Sequence, residues 1–344
     1  MLNTGLFLLA TALAFPVEAP AATCSLPTDG KQIRQFAFDG DPETYFASLG
    51  NAGEADRFTL DLAKPIAVRS IEAKTGRPGG GDELEGGSLE VSADGQACES
   101  VARFDKLGVA RFVAEGRQVR AIRIKPDPAK ARPLVVREIM VDSAEPVPIF
   151  AYPVEYTVDV ADAPEMKEWA DKAAALCEAW YPKLNELLKS DGYKPPTQVS
   201  MALKSSYKGV AQASGNRITG SVAFFKAHPD DLGAMIHETI HVIQRYRGQG
   251  NPGWLVEGIA DNIRFFVYEP GKAGPVNSQK AHYNNSYRTS ATFLDYVART
   301  YDPQLILQLN RLLREGKYKD DSFQDLTGKT LVELDEEWLK SLAK

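Results

Sequence analysis

HETIH, at residues 237–241, sets two of the chain's four histidines four positions apart, with a glutamate directly after the first. On a helix that spacing stacks the two imidazoles one turn apart on one face. Two imidazoles so placed can grip a single Zn²⁺, and the carboxylate between them can reach water on the ion without being a ligand. The flanking residues read as such a helix. Asp230 and Asp231 can cap a start near Leu232, and Leu232, Ile236, Ile240 and Ile243 form an apolar stripe at helical spacing. The plain alternative is two unrelated histidines on a helix surface, so the rest of a site has to be found.

A third ligand lies in PGWLVEGIADNIRFF, residues 252–266. Glu257 opens a second amphipathic helix, and Asp261 follows one turn later on the same face. Glu257 can complete a His237, His241, Glu257 zinc set that leaves one position open. Asp261 can accept a hydrogen bond from the distal nitrogen of a ligand histidine and so fix its tautomer. Trp254, Leu255, Val256, Ile259 and Ala260 surround both carboxylates. Partly buried charges need partners, and a metal ion is a natural one.

Working outward, the two halves of the chain follow different patterns. Residues 30–142 hold short alternating runs such as RFTLDL (57–62), VRSIEAKT (68–75), GSLEVSA (87–93), ARFVA (110–114) and QVRAIRIKP (118–126). Period-two alternation marks half-buried strands, and Gly-rich turns such as RPGGGDELEGG (77–87) separate them. No helical stretch interrupts them, which predicts a β-sandwich. The Pro-rich SAEPVPIF (143–150) then reads as a linker. Beyond it, PEMKEWADKAAALCEAWYPKLNELLKSDG (164–192) predicts a long helix, QVSMALK (198–204) and NRITGSVAFF (216–225) predict strands, and helices dominate from Asp230 onward. The second half is therefore α+β.

The chain has 344 residues, of which 44% are hydrophobic and 25% charged, and a net charge of −6. That suits a globular protein of about two domains and argues against a nucleic-acid partner, which would favour a basic face. LFLLATALAFPVEAPAAT (6–23) joins an apolar run to small residues, as a secretory leader does, with cleavage expected after Ala19 or Ala22. The run is too short and too interrupted by Pro16 and Glu18 to span a bilayer. Residues 1–22 are thus read as a leader and the mature chain as having no transmembrane span. Three cysteines remain. A Cys24–Cys98 disulfide is conceivable in an exported protein, Cys177 reads as a buried thiol, and AATC departs from a lipidation signal at Thr23.

HETIHVIQ followed by GWLVEGIADNIR resembles the basic secretory protein family, zinc peptidases of plants and bacteria, over roughly residues 150–340. Glu257 stands sixteen residues after His241, as in that family. The resemblance extends to gluzincins, and it implies a zincin-like domain over residues 151–344. It implies Glu238 as the general base, and a substrate-pairing strand carrying Ile218, Gly220 and Val222 within NRITGSVAFF, unless that strand is interior. It also implies a tyrosine in NSYRTSATFLDYV (285–297) that steadies the oxyanion. Tyr287 is the candidate, with Tyr283 and His282 as competitors and simple packing as the alternative. This chain is acidic, so the family's basic character does not transfer.

FAFDGDPETYFAS (36–48) and VVREIMVDS (135–143) resemble discoidin, or coagulation-factor type C, domains, which are galactose-binding-like β-sandwiches. The resemblance covers residues 25–143, followed by a linker at 144–150. It implies a structural Ca²⁺ held by Asp39, Asp41, Thr44 and Glu138, against the alternative of an ion-free polar turn. It implies a carbohydrate ligand as well, although this half contains no tryptophan platform. Together the resemblances imply an exported, secreted, periplasmic or cell-surface zinc peptidase. It would act on protein or peptide substrates, glycoproteins included, and use its first domain for targeting. The rivals are a carbohydrate-binding or adhesion protein carrying an inactive peptidase domain, and a metal-dependent hydrolase of non-peptide bonds.

Overall fold

Alternating apolar residues in the first part of the chain become antiparallel strands around one core. The computed structural model describes residues 19–127, 129–246, 250–285 and 287–342. Its first sheet comprises β1 (Ala21–Cys24), β2 (Phe46–Ala52), β3 (Phe58–Thr75), β4 (Ser88–Ser92), β5 (Glu99–Arg103), β6 (Val109–Lys125) and β7 (Arg132–Ser143), in the order β2-β7-β3-β6-β4-β5 with β1 also on β3. The runs read as separate strands at 57–62 and 68–75 are one long strand. Its burial parity changes from Phe58, Leu60, Leu62, Ile66 and Val68 to Ile71, Ala73 and Thr75, because the register slips between Val68 and Ser70. A one-residue slip moves the buried set to the other face. β1 and β4 lie with the first part of β3 and the facing end of β6, while β7 lies with its second part, which wraps the sheet into a sandwich.

Two expectations for this half change, and a third meets the structure only at its end. Ala21 and Ala22 belong to β1, paired with Asp61 and Leu60, so the expected leader of residues 1–22 overlaps a strand. Its first eighteen residues lie outside the described residues. Cys24 and Cys98 are both free thiols. Cys24 sits on β1 and Cys98 in the turn after β4, with β3 and β6 between them. Strands about 4.8 Å apart put such cysteines far beyond the roughly 7 Å Cα separation a disulfide tolerates. The expected linker ends inside the first core. Phe150 is buried there, its N–H donates to Phe38 O, and its ring meets that of Phe38 edge-on at 6.1 Å.

The second domain begins with β8 (Glu155–Asp159) and the long helix α1 (Lys167–Leu187), followed by β9 (Gln198–Lys204), β10 (Ala211–Ser214) and β11 (Arg217–Ser221). Their order is β10-β11-β9-β8, with β8, β9 and β11 parallel and β10 antiparallel at the edge. Helices follow: α2 (Val222–Ala227), α3 (Gly233–Gln244), α4 (Gly253–Ile263), α5 (Tyr287–Thr300), α6 (Leu305–Glu315), α7 (Ser322–Thr327) and α8 (Leu331–Leu342).

The substrate-strand expectation is corrected by this topology. β11, carrying Ile218 and Gly220, is bonded on both sides, and Val222 starts a helix that Ser221 caps by accepting from Phe224 N. Gly220 is needed for packing instead: a Cβ there would stand 2.7 Å from Met235 Cε of α3 and 2.9 Å from Phe225. The edges of this sheet are β10 and β8, and β10 is the one beside α3.

The domains are joined by polar contacts. Thr28 Oγ1 donates to Glu155 Oε1 at 2.6 Å, Arg34 spans Glu155 and Glu178, and Val154 N donates to Gln35 Oε1 at 2.9 Å.

Candidate metal centre

α3 is held on the sheet by its own side chains. Thr239 Oγ1 donates to Met235 O and meets the hydroxyl of Tyr156 on β8 at 2.8 Å, both buried. That fixes the helix face carrying His237 and His241. α4 crosses beside it and brings Glu257 and Asp261.

Three donor atoms converge where the helices meet. His237 Nε2 and His241 Nε2 lie 3.0 Å apart, and each lies 3.2 Å from Glu257 Oε2. The opposite ring nitrogens are already engaged, His237 Nδ1 with Asp261 Oδ1 at 2.7 Å and His241 Nδ1 with Gln244 Oε1 at 2.7 Å. Gln244 is itself oriented, because its Nε2 donates to Val256 O at 3.0 Å. Neutral imidazoles donating through Nδ1 must turn Nε2 lone pairs toward one another and toward a carboxylate oxygen. Only a positive charge between the three relieves that repulsion. Donors around a tetrahedral ion with bonds of about 2.0–2.1 Å stand roughly 3.3 Å apart, close to this triangle. The residues therefore fit a metal ion.

The titration tendencies have the same cause. Burial opposes a proton on His237, but hydrogen bonds to Asp261 and Glu257 outweigh it and lift the imidazole to about 9. Burial also acts on Glu257, yet His237 and His241 hold its carboxyl well below the usual range. A proton and a metal ion answer the same need for charge here. Glu238 lies buried beside the triangle without joining it. Burial lifts its carboxyl above the usual range, while the two histidines and the backbone of Ala213 on β10 pull it down.

The triangle opens into a cleft of about 1220 Å³ that includes Glu238, β10 residues Ala211 to Ala213, and Tyr287. Ser221 N donates to Val210 O. Strand alternation then turns Ala211 and Ala213 outward, so Ala211 N–H and Ala213 C=O face the cleft. Tyr287 is 54% exposed with a left-handed backbone (φ 42°), and its hydroxyl is pushed up chiefly by the charge of Glu257. Its competitors are engaged elsewhere. His282 Nδ1 meets Asp335 at 3.0 Å, and Tyr283 packs on Trp254.

Three parts of this site escaped the sequence reading. Gln244 follows His241 by three residues, a spacing that could have signalled it. β10 is a run of Ala, Gln and Ser with weak strand propensity. Tyr207 donates from its hydroxyl to Ala211 O and faces the same cleft, with no motif to announce it.

In the first domain, Asp39, Asp41 and Thr44 form one turn. Thr44 Oγ1 donates to Asp39 at 2.9 Å and to Asp41 O at 2.9 Å, and Asp41 N donates to Asp39 Oδ1. Glu138 sits against them, buried, with no hydrogen-bond partner on Oε2. Burial, then the charges of Asp39 and Asp41, push it up to about 7.

The chain belongs to the BSP family, peptidases of plants and bacteria, whose family model matches residues 158–338. A comparison with curated proteins finds no match. Among solved structures, the chain is similar to the CBM32-1 module of a family 31 glycoside hydrolase from Clostridium perfringens. The identity is 18% and the TM-score 0.32, covering 36% of this chain and 94% of that one. It is also similar to a Streptococcus pneumoniae fucose binding module, with 13% identity, TM-score 0.32 and coverage of 38% and 98%. A third is the lectin domain of lectinolysin complexed with Lewis B antigen, with 14% identity, TM-score 0.31 and coverage of 38% and 99%. No helix among the described residues is long and apolar enough to cross a membrane.

Proposed function

We propose that this protein is a zinc peptidase of the BSP family that hydrolyses peptide bonds in the cleft between β10 and α5. The reading rests on the triangle of His237 Nε2, His241 Nε2 and Glu257 Oε2, with Glu238 buried beside it. Zinc, when bound there, supplies Lewis-acid polarisation of a carbonyl and of water. The chain's own residues do the rest. Asp261 and Gln244 hold the imidazoles in the tautomer whose Nε2 is free to ligate. The backbone of Ala213 steadies Glu238, which accepts a proton from the attacking water and returns it to the leaving amine. Ala211 N–H and Ala213 C=O can pair with an extended peptide as an added strand, which favours a peptide over a non-peptide bond. Tyr287 reaches over the opposite side of the cleft and donates to the oxygen that gains charge.

In the same reading the first domain targets the enzyme. Asp39, Asp41, Thr44 and Glu138 would hold Ca²⁺, which suits an all-oxygen set and would answer the unpartnered Glu138 Oε2. A carbohydrate ligand, glycoprotein substrates and export follow from the sequence resemblances. Cleavage after Ala19 would leave β1 whole, whereas cleavage after Ala22 would remove half of it.

The deciding experiment compares wild type, His241→Ala and Glu238→Gln for zinc content and casein cleavage. One zinc per chain in wild type and in Glu238→Gln, with cleavage only in wild type, is expected. Cleavage at the wild-type rate by Glu238→Gln would sink the assignment. Zinc without cleavage of any substrate would favour the binding-protein alternative.

A further inference from the structure

The cleft holds a cation whose charge the fold does not use. Phe265 is buried, and two guanidinium groups lie over its ring, Arg264 Cζ at 4.7 Å from the centroid and Arg288 Cζ at 4.8 Å. Arg264 is neutralised, with Nη2 on Asp231 Oδ1 at 2.6 Å and Nε on Glu269 Oε1 at 2.6 Å. Arg288 has no ion pair or side-chain hydrogen bond among the described residues, and it is exposed in the same cleft as His237 and Glu257. The ring contact sets its position and leaves the five donors of a planar fork to solvent.

Its place in the chain is unfavourable for a structural role. Arg288 is the second residue of α5, where the helix dipole disfavours a cation, and Tyr287 before it adopts a left-handed backbone. The contact with Phe265 is its packing gain, and local rules broken together are expected at functional positions. The protein as a whole carries a charge of −6, so a bare guanidinium in the cleft runs against its overall field.

We propose that Arg288 is a specificity residue that binds a carboxylate of the peptide substrate close to the scissile bond, so that the cleft selects acidic peptides. This deepens the peptidase reading and rests on it. A planar fork over an aromatic ring matches a carboxylate bidentately. The carboxylate can come from an Asp or Glu side chain or from a free C-terminus.

The test uses the zinc-loaded full chain carrying Glu238→Gln, which binds without turning over. Three fluorescent peptides of one length are titrated by anisotropy: neutral with an amidated end, the same with one Gln replaced by Glu, and neutral with a free C-terminal acid. One acidic peptide is expected to bind about 5–20-fold tighter than the neutral one, with the advantage falling in high salt. The peptide that gains tells a side-chain site from a terminal one. Adding Arg288→Gln should abolish the advantage, Arg288→Lys should keep part of it, and Arg288→Glu should transfer it to a Lys-containing peptide. Equal binding of all three peptides, binding of none, or an advantage that survives Arg288→Gln overturns the proposal. Because binding is read without turnover, a failure of wild type to cleave anything would count against the peptidase reading and leave this result standing.

Discussion

His237 Nδ1 and Asp261 Oδ1 lie 2.7 Å apart, both side chains nearly buried, and this contact decides which nitrogen of His237 faces Glu257. Asp261 is one helical turn beyond Glu257, so α4 supplies both a donor to the triangle and the group that orients another donor. Asp261→Asn keeps the shape, but the amide can present an N–H to Nδ1 and invite the wrong tautomer. Zinc affinity should fall about 10–100-fold. Competition with a chromogenic chelator measures this directly. Unchanged affinity would mean that Asp261 only fills space.

Tyr287 is more exposed than a packing residue would be, and its hydroxyl senses Glu257 more than its own burial. Tyr287→Phe should lower kcat about 10²–10³-fold on a casein-derived peptide, the usual effect of losing one oxyanion donor, with KM little changed. A loss confined to KM would make Tyr287 a binding residue. If activity is retained, Tyr207 in the same cleft becomes the next candidate, and its hydroxyl would have to leave Ala211 O to donate.

The contrast between β10 and β11 shows what the sequence could reveal. The triangle was legible because His237, His241, Glu257 and Asp261 lie on two helices at whole-turn spacings, and helix periodicity fixes side-chain direction locally. The β-sandwich was legible from alternation for a similar reason. Strand order is not local. NRITGSVAFF reads as one strand, yet Ser221 turns its end into a helix, and AQAS shows too little β propensity to be seen as the edge. The β1 strand was hidden because AATC reads as the end of a leader. Arg288 and Tyr207 have no motif, and only the folded cleft brings them to the site.

Gly220 gives a direct check on that corrected topology. An interior strand under α3 has no room for a side chain, with Met235, Phe225 and Leu203 all within 3.0 Å of where a Cβ would stand. Gly220→Val should destabilise the second domain by about 1–3 kcal/mol, the range for overpacking, as measured by urea unfolding. Ala213→Gly on the edge should cost much less. Comparable losses at the two positions would place β11 at the edge after all.

Glu138 links the first domain's stability to pH and to calcium. Its carboxyl is raised from an ordinary 4.5 to about 7, so between those values the folded chain keeps a proton that the unfolded chain has lost. The folded state then binds more protons, and stability falls as pH rises through that window, by an amount on the order of 1–3 kcal/mol. Above about 7 the carboxylate is charged in both states and the proton's contribution is gone. Calcium needs the carboxylate form, so it should oppose this loss. Thermal unfolding of the first domain should therefore respond little to Ca²⁺ at pH 5 and rise clearly at pH 8. Glu138→Gln should flatten both dependences, because it removes the titrating group and a charged ligand together. A calcium response that persists in Glu138→Gln would place the ion elsewhere, and no response in wild type at pH 8 would leave Asp39, Asp41 and Thr44 as an ion-free turn.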